Sequence, residues 1–226
     1  MKKAFVIIPA YNEAAHIAQV LGHVRKYLPG NNIIVVDDGS RDSTAELAVR
    51  QHVSVLRHEV NLGKGAALKT GSDFALMRGA AFLIYLDSDG QHDPAEIPAF
   101  LKALKHSPIV FGQRPRTKEM PGILRFGNST ISFVFRILYG MHIHDPLGGF
   151  RAMTAETYSR IRWRSSGYSV ESEMIANVGR LKIKYAILPV KTIYRDRYKG
   201  TTVKDGIEIV LNLLWWRIWH PFNGRR

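Results

Sequence analysis

The chain has 226 residues, 46% apolar and 23% charged, the proportions of a globular protein whose core needs no metal or disulfide staple. It has no cysteine, which excludes a disulfide framework, a thiolate zinc site and a cysteine nucleophile and fits a reducing compartment. Its 32 Lys and Arg outweigh 19 Asp and Glu for a formal net charge of +13, which favours an anionic partner: nucleic acid, phosphorylated substrates or an acidic membrane.

Lys2 and Lys3 precede an apolar run that ends at Pro9, too short for a signal-peptide core. No stretch reaches the roughly 20 apolar residues of a spanning helix. The expectation is a cytoplasmic chain that does not cross a bilayer on its own. Residues 4–8 (AFVII) predict a strand buried on both faces. Residues 13–28 repeat apolar side chains at helical spacing until Pro29 and Gly30 stop them. Next come a strand over 33–36, a short helix over 42–50 with Ser40 or Asp42 as cap, and a strand over 53–56. A helix over 65–78, a strand over 82–86, a helix over 94–105 opened by Pro94 and a strand over 109–111 complete the first half. This alternation predicts an α/β fold, a mostly parallel sheet with helices on both faces and a ligand at the carboxyl ends of its strands. From 114 to 164 the alternation weakens, and nine Lys or Arg stand against three Asp or Glu. Arg160, Arg162 and Arg164 alternate like a solvated strand face. A helix over 171–181, a strand over 185–190 and a tail helix over 206–220 with three tryptophans follow.

Three of the early strands end in polar clusters: residues 9–13 (PAYNE), 37–40 (DDGS) and 87–92 (DSDGQH). Asp and Gly after a strand are ordinary turn chemistry. Three acidic clusters on one sheet edge, however, would repel one another unless a cation joined them. Asp87 and Asp89 lie two apart, and Gln91 continues their face. Carboxylate and amide oxygens suit Mg²⁺ or Mn²⁺, which share their coordination shell with substrate phosphates. Residues 61–65 (NLGKG) set Lys64 between two glycines at a helix start, where backbone N–H groups and the helix dipole favour anions, although the order is not that of a P-loop.

With these pieces in order, joined by GQR at 112–114 and DPLGGFR at 145–151, residues 4–204 resemble the family 2 inverting glycosyltransferases of the GT-A fold. More narrowly they are similar to the dolichol-phosphate mannose synthase and polyprenyl-phosphate glycosyltransferase branch. The resemblance implies a Rossmann-like nucleotide-diphospho-sugar transferase fold and transfer of a hexose from a nucleotide sugar (GDP-mannose or UDP-glucose type). Pro9, Tyr11, Glu13 and Asp38 would then cradle the nucleoside, with Asp38 near the base and Asp37 the weaker member of its pair. Lys64 and Ser88 fall on the donor side. Asp87, Asp89 and Gln91 resemble a DxD-type metal site for Mg²⁺ or Mn²⁺, with Asp89 and Gln91 the closest ligands and His92 in support. Arg114 and Arg125 match arginines that meet donor or acceptor phosphates. Arg197 and Lys204 match a late stretch expected to hold the acceptor phosphate. Arg151 falls with them on the acceptor side. The chain departs from the family pattern at Gly148 and Thr202, where Ser is usual, and at Ser169, where an acidic residue is common.

Transfer to a sugar hydroxyl needs a general base, whereas a lipid phosphate is already anionic and needs cationic guides and positioning. The surplus of arginine in the second half leans to the phosphate, with Asp145 or Glu173 left as a base for a hydroxyl of a glycan or lipid-linked oligosaccharide. The expected organisation is one domain over 1–204, split into a donor half (1–113) and an acceptor half (114–204), then a C-terminal amphipathic helix over 205–226. That tail carries Trp215, Trp216, Trp219, Arg217, Arg225 and Arg226, and residues 131–138 are similarly amphipathic. Both either pack on the domain or lie in a membrane interface on its cytoplasmic face, where a membrane partner subunit would help. A nucleic-acid-binding protein is the alternative that the charge raises, but no nucleic-acid motif supports it. His142 and His144 lack a third metal ligand and are expected to be a solvated or hydrogen-bonded pair.

Overall fold

A computed structural model describes residues 2–115, 122–191 and 203–219, and seven of its strands form one sheet. The strands are β1 (Ala4–Ala10), β2 (Ile33–Asp37), β3 (Ser54–Arg57), β4 (Phe82–Tyr85), β5 (Ile109–Gln113), β6 (Arg151–Thr154) and β7 (Tyr185–Pro189). Their order across the sheet is β3-β2-β1-β4-β6-β5-β7, with only β6 antiparallel to its neighbours. The helices are α1 (Ile17–Val24), α2 (Thr44–Val49), α3 (Lys64–Met77), α4 (Ile97–Ala103), α5 (Gly122–Tyr139), α6 (Ala155–Ile161), α7 (Val170–Arg180) and α8 (Val203–Trp219).

The continuous apolar runs of β1, β2 and β4 are explained by burial on both faces. Phe5, Ile7, Ile34, Val36, Leu83 and Tyr85 face one core, filled by α3, α5, α6, α7 and α8. Val6, Ile8, Ile33, Val35 and Ile84 face the other, filled by α1, α2 and α4. Each such side chain removed from water stabilises the fold by about 1.5–3 kcal/mol. α8 belongs to the first core through Ile209 and Leu213, and the boundary drawn at 204/205 falls inside it.

Several elements differ from expectation. The helix over 13–28 is regular only from Ile17 to Val24, because Asn12 takes a left-handed φ of 54° and residues 13–16 form turns. Ser40 does not cap α2. Asp42 Oδ1 accepts the Thr44 N–H at 3.0 Å, while Ser40 Oγ accepts from Asn12 N–H. Pro94 opens a 3₁₀ turn, capped by Asp93, before α4. The alternating arginines are not a strand. Arg160 lies in the last turn of α6, and Arg162 pairs with Asp73. His142 and His144 are exposed. Because β6 runs backwards, its first residue, Arg151, stands beside Tyr85 at the carboxyl end of β4. The start of β6 therefore joins the ends of β1, β2, β3, β4 and β5 on one edge.

Candidate active site

The side of that edge expected to hold the donor begins where β1 and β2 end. Asn12 N–H donates to Ser40 Oγ (2.9 Å), Glu13 N–H to Thr44 Oγ1 (2.8 Å), and Arg41 N–H to Asn12 Oδ1 (2.9 Å), which locks the two polar loops together. Beside them opens a cleft of about 440 Å³ walled by Tyr11, Ser40, Arg41, Arg57, His58 and Asn61, among others. Tyr11 is 44% exposed there and offers a ring face. Pro9 is buried within β1, and the Glu13 carboxylate turns to His16 Nδ1 at 2.9 Å. A larger hollow, about 540 Å³, lies between α2 and β3 and shares Arg57 with this cleft.

The Asp38 carboxylate, expected near the base, is engaged within the protein. Its Oδ1 accepts from His58 Nδ1 (2.6 Å) and Leu62 N–H (3.0 Å), and its Oδ2 accepts from Gly63 N–H (2.7 Å). The carboxylate thus fixes the loop that walls the cleft. His58 Nε2 continues the chain to Thr70 Oγ1 at 2.9 Å. Asp37, fully buried, accepts from Ser40 N–H (3.2 Å) and lies 3.1 Å from Arg57 Nε.

The glycines around Lys64 also serve another purpose than anion binding. A Cβ on Gly63 would fall 2.5 Å from the Ser166 carbonyl oxygen, and one on Gly65 would fall 2.2 Å from that of Ser165. Ala66 N–H donates to Ser166 O (3.0 Å), and Trp163 Nε1–H donates to Gly65 O (2.8 Å). The segment 163–167 therefore covers the start of α3, and the glycines admit a backbone where the sequence predicted an anion.

Lys64 itself points to the acidic cluster. Its Nζ lies 2.6 Å from Asp87 Oδ1 and 2.6 Å from Glu171 Oε1. Burial opposes the ammonium, yet the two carboxylates raise Lys64 above its ordinary pKa. Burial alone would raise Asp87, but Lys64 first, with His92 and Arg151 behind it, holds it below its ordinary value. Burial lowers His92, against the pull of Asp87 and Asp89. His92 Nε2 stands 3.7 Å from Asp87 Oδ2, and its buried Nδ1 has no hydrogen-bond partner. Gly149 packs flat on Asp87, since a Cβ there would lie 2.1 Å from Oδ2. Asp89 Oδ1 accepts the Gln91 N–H (2.9 Å), which curls the loop, and Ser88 is buried between the two aspartates. Among the described residues no three His, Asp or Glu already converge on a cation position. The hard oxygens of Asp89 and Gln91 nonetheless fit a Mg²⁺ or Mn²⁺ that takes the rest of its shell from phosphates and water.

The half expected on the acceptor side is tied down by its own charges. Arg114 forks onto Asp145, Nε to Oδ2 at 2.7 Å and Nη2 to Oδ1 at 2.9 Å. Glu173 accepts the N–H groups of Arg164 and Ser165 at 2.9 and 2.8 Å. Arg151, placed on the acceptor side by resemblance, is an internal strut. It is 2% exposed and donates to the carbonyls of Gly148 (2.9 Å), Glu171 (2.6 Å) and Pro146 (2.6 Å). Burial pushes its guanidinium down to about 10. Arg197 and the side chains of Arg125 and Lys204 lie outside the described residues, although α5 and α8 carry the last two.

Residues 5–162 match the sequence model of the family described as Glycosyl transferase family 2. The chain belongs to glycosyl transferase family 2. A UDP-N-acetylglucosamine–dolichyl-phosphate N-acetylglucosaminyltransferase of Methanococcus voltae is 30% identical, over 94% of this chain and 95% of its own. An undecaprenyl-phosphate mannosyltransferase of Micrococcus luteus is 29% identical, over 99% and 98%. Glucosyl-3-phosphoglycerate synthase from Mycobacterium tuberculosis, solved with Mn²⁺, uridine diphosphate and phosphoglyceric acid, superposes with a TM-score of 0.75 at 22% identity, over 99% of this chain and 81% of that one. The GT-A sheet expected from the motifs is thus present.

Three residues that shape this glycosyltransferase site escape the sequence reading. His58 lies in a stretch with no motif, Glu171 reads only as the start of a helix, and Gly149 reads only as a matching glycine of the 145–151 motif. The one available signal was the close spacing of Glu171 and Glu173 in a helix that is otherwise buried.

Proposed function

We propose that this glycosyltransferase moves a hexose, with inversion, from a nucleotide sugar to a polyprenyl (dolichyl or undecaprenyl) phosphate at the cytoplasmic face of a membrane. The observation that carries the acceptor is the engagement of the acceptor half's carboxylates. Asp145 holds Arg114, Glu171 holds Lys64, and Glu173 holds the backbone of residues 164–165. None is poised to take a proton from a sugar hydroxyl, and a phosphate acceptor asks for no base. The printed activities of the Methanococcus and Micrococcus relatives agree with a lipid phosphate acceptor.

On the donor side, the nucleoside enters the cleft beside Tyr11, and the diphosphate lies toward Asp89 and Gln91. A Mg²⁺ or Mn²⁺ there supplies charge neutralisation of the departing diphosphate. Arg114, oriented by Asp145, and Arg125, Arg197 and Lys204 are the candidate guides for phosphates. Asp37 and Asp38 serve the nucleoside indirectly, through the loops they hold.

For the membrane, α5 leaves Phe133 and Ile137 exposed, and α8 leaves Leu211, Leu214, Trp215 and Ile218 exposed, with Arg136 and Arg217 beside them. Among the described residues no helix is long and apolar enough to cross a bilayer. Two packed helices with apolar stripes and basic neighbours suit an interfacial seat on anionic lipid.

The test is transfer from radiolabelled GDP-mannose, UDP-glucose and UDP-N-acetylglucosamine to polyprenyl phosphate, with Mn²⁺ or with EDTA. Metal-dependent label in the lipid phase from one donor is the expected result and names the sugar. Donor hydrolysis without lipid label moves the acceptor to a glycan hydroxyl.

A further inference from the structure

Lys64 bridges two carboxylates that belong to different parts of the site. Asp87 follows β4 on the donor loop, and Glu171 opens α7. The ammonium contacts both at 2.6 Å from a side chain only 15% exposed. Asp87 is 22% exposed, with Gly149 close over its carboxylate and His92 Nε2 at 3.7 Å from Oδ2. Lys64 already stands on Oδ1 at 2.6 Å, so a cation that approaches Asp87 through that oxygen meets the ammonium there.

A divalent cation at Asp89 and Gln91 arrives two residues from this pair. If it draws on Asp87 Oδ1 as well, the metal takes much of that carboxylate's charge and repels the ammonium across a 2.6 Å contact. A buried ammonium deprived of its partner is strongly disfavoured. Glu171 removes that obstacle, because its carboxylate is already in contact with the same Nζ.

We propose, on the metal–diphosphate reading above, that Lys64 is an exchangeable counter-ion: it neutralises Asp87 while the site is free of metal, and Glu171 alone retains it when the metal–diphosphate takes Asp87. Glu171 is then a positioning residue for metal entry that touches neither metal nor donor. Without it, the ammonium has Asp87 as its one carboxylate partner and competes directly with the metal.

The experiment is a Mn²⁺ titration read by the electron paramagnetic resonance signal of the free ion, with and without GDP or UDP, and with circular dichroism to count folded protein. Glu171→Gln should bind Mn²⁺ about tenfold more weakly per folded molecule, a change of about 1.4 kcal/mol. Glu171→Asp, which keeps the charge, should recover most of the loss. Lys64→Met, which leaves two carboxylates facing an empty position, should bind Mn²⁺ more tightly than the wild type in the absence of nucleotide and melt higher as Mn²⁺ is added. A purely structural Glu171 would lower the melting temperature without changing Mn²⁺ affinity. Unchanged affinity in Glu171→Gln, with normal uptake by the wild type, overturns the proposal alone. No uptake by the wild type, even with a nucleoside diphosphate, removes the metal reading and the proposal together.

Discussion

Asp145 grips Arg114 three times, through the two arms of the guanidinium and through the backbone N–H, which reaches Oδ2 at 3.2 Å. The pair ties the end of β5 to the loop that leads into β6. To accept a proton, Asp145 would have to release the fork. Asp145→Asn should therefore lower kcat/KM by about ten- to a hundredfold through misplacement of Arg114, the scale of lost positioning. The basic limb of the pH–rate profile should stay where it is. Steady-state kinetics across pH checks this, and a loss near ten-thousandfold together with a vanished limb would make Asp145 a general base.

The sheet edge of the first half was legible because β1, β2 and β4 are unbroken apolar runs, each ended by a polar cluster, and burial on both faces demands that pattern. The second half was not. β6 begins with Arg151 and ends with Thr154, and nothing local shows that a charged residue will be buried by carbonyls from residues 146, 148 and 171. Gly63 and Gly65 were misread for a related reason. A glycine that admits a phosphate and one that admits another backbone look the same in sequence, and only the distant segment 163–167 decides between them. Asp38 could be placed at its strand end but its partners could not be read there, since His58, Leu62 and Gly63 lie 20 to 25 residues on.

Gly149 gives a sharp steric test. A methyl group there would lie 2.1 Å from Asp87 Oδ2, so either the loop or the Lys64–Asp87 pair must shift. Gly149→Ala should destabilise the protein by about 1–3 kcal/mol, the usual range for overpacking. It should also weaken Mn²⁺ binding. Gly22→Ala is the control, because a Cβ at Gly22 meets nothing within 4 Å. Urea unfolding of both variants separates the outcomes.

The Asp38 carboxylate accepts three hydrogen bonds from the loop that walls the cleft, two of them from backbone N–H groups. Asp38→Asn keeps the shape but replaces an acceptor oxygen with a donor, and hydrogen bonds to charged groups contribute about 1.5–3 kcal/mol each. The loop should loosen, and the donor KM should rise by tenfold or more with a smaller change in kcat. A collapse of kcat at unchanged KM would place Asp38 at the reacting diphosphate instead.

α8 should detach in alkali by a route that one hydroxyl controls. Tyr139 Oη–H donates to Leu213 O at 2.6 Å, joining α5 to α8. Burial raises its phenol, against the pull of Arg180 and Arg217, to about 12 from an ordinary 10.0. The unfolded chain therefore ionises first, so this contribution to stability is complete below pH 10 and is lost between about pH 10 and 12. Tyr139→Phe should be less stable than the wild type at neutral pH, and the gap should close across that window. Thermal unfolding from pH 8 to 11.5 measures it, and a gap that stays constant would show that the phenol carries no such linkage.

The apolar stripes of α5 and α8 make a prediction that separates lipid binding from folding. Phe133, Ile137, Trp215 and Ile218 are each more than half exposed, so replacing one removes little core packing. Ile137→Glu or Trp215→Glu should leave the melting temperature within a few degrees, as surface changes do. Binding to vesicles of anionic lipid should fall by about tenfold or more, because each substitution removes buried apolar area and adds a charge that the leaflet repels. Raising the salt should weaken wild-type binding without abolishing it, since Arg136 and Arg217 act through a screened field while the apolar term persists. Activity should fall with polyprenyl phosphate in vesicles and survive with a short-chain acceptor in detergent. Equal vesicle binding by wild type and variants would assign the stripes to another partner and leave the acceptor to reach the site unaided.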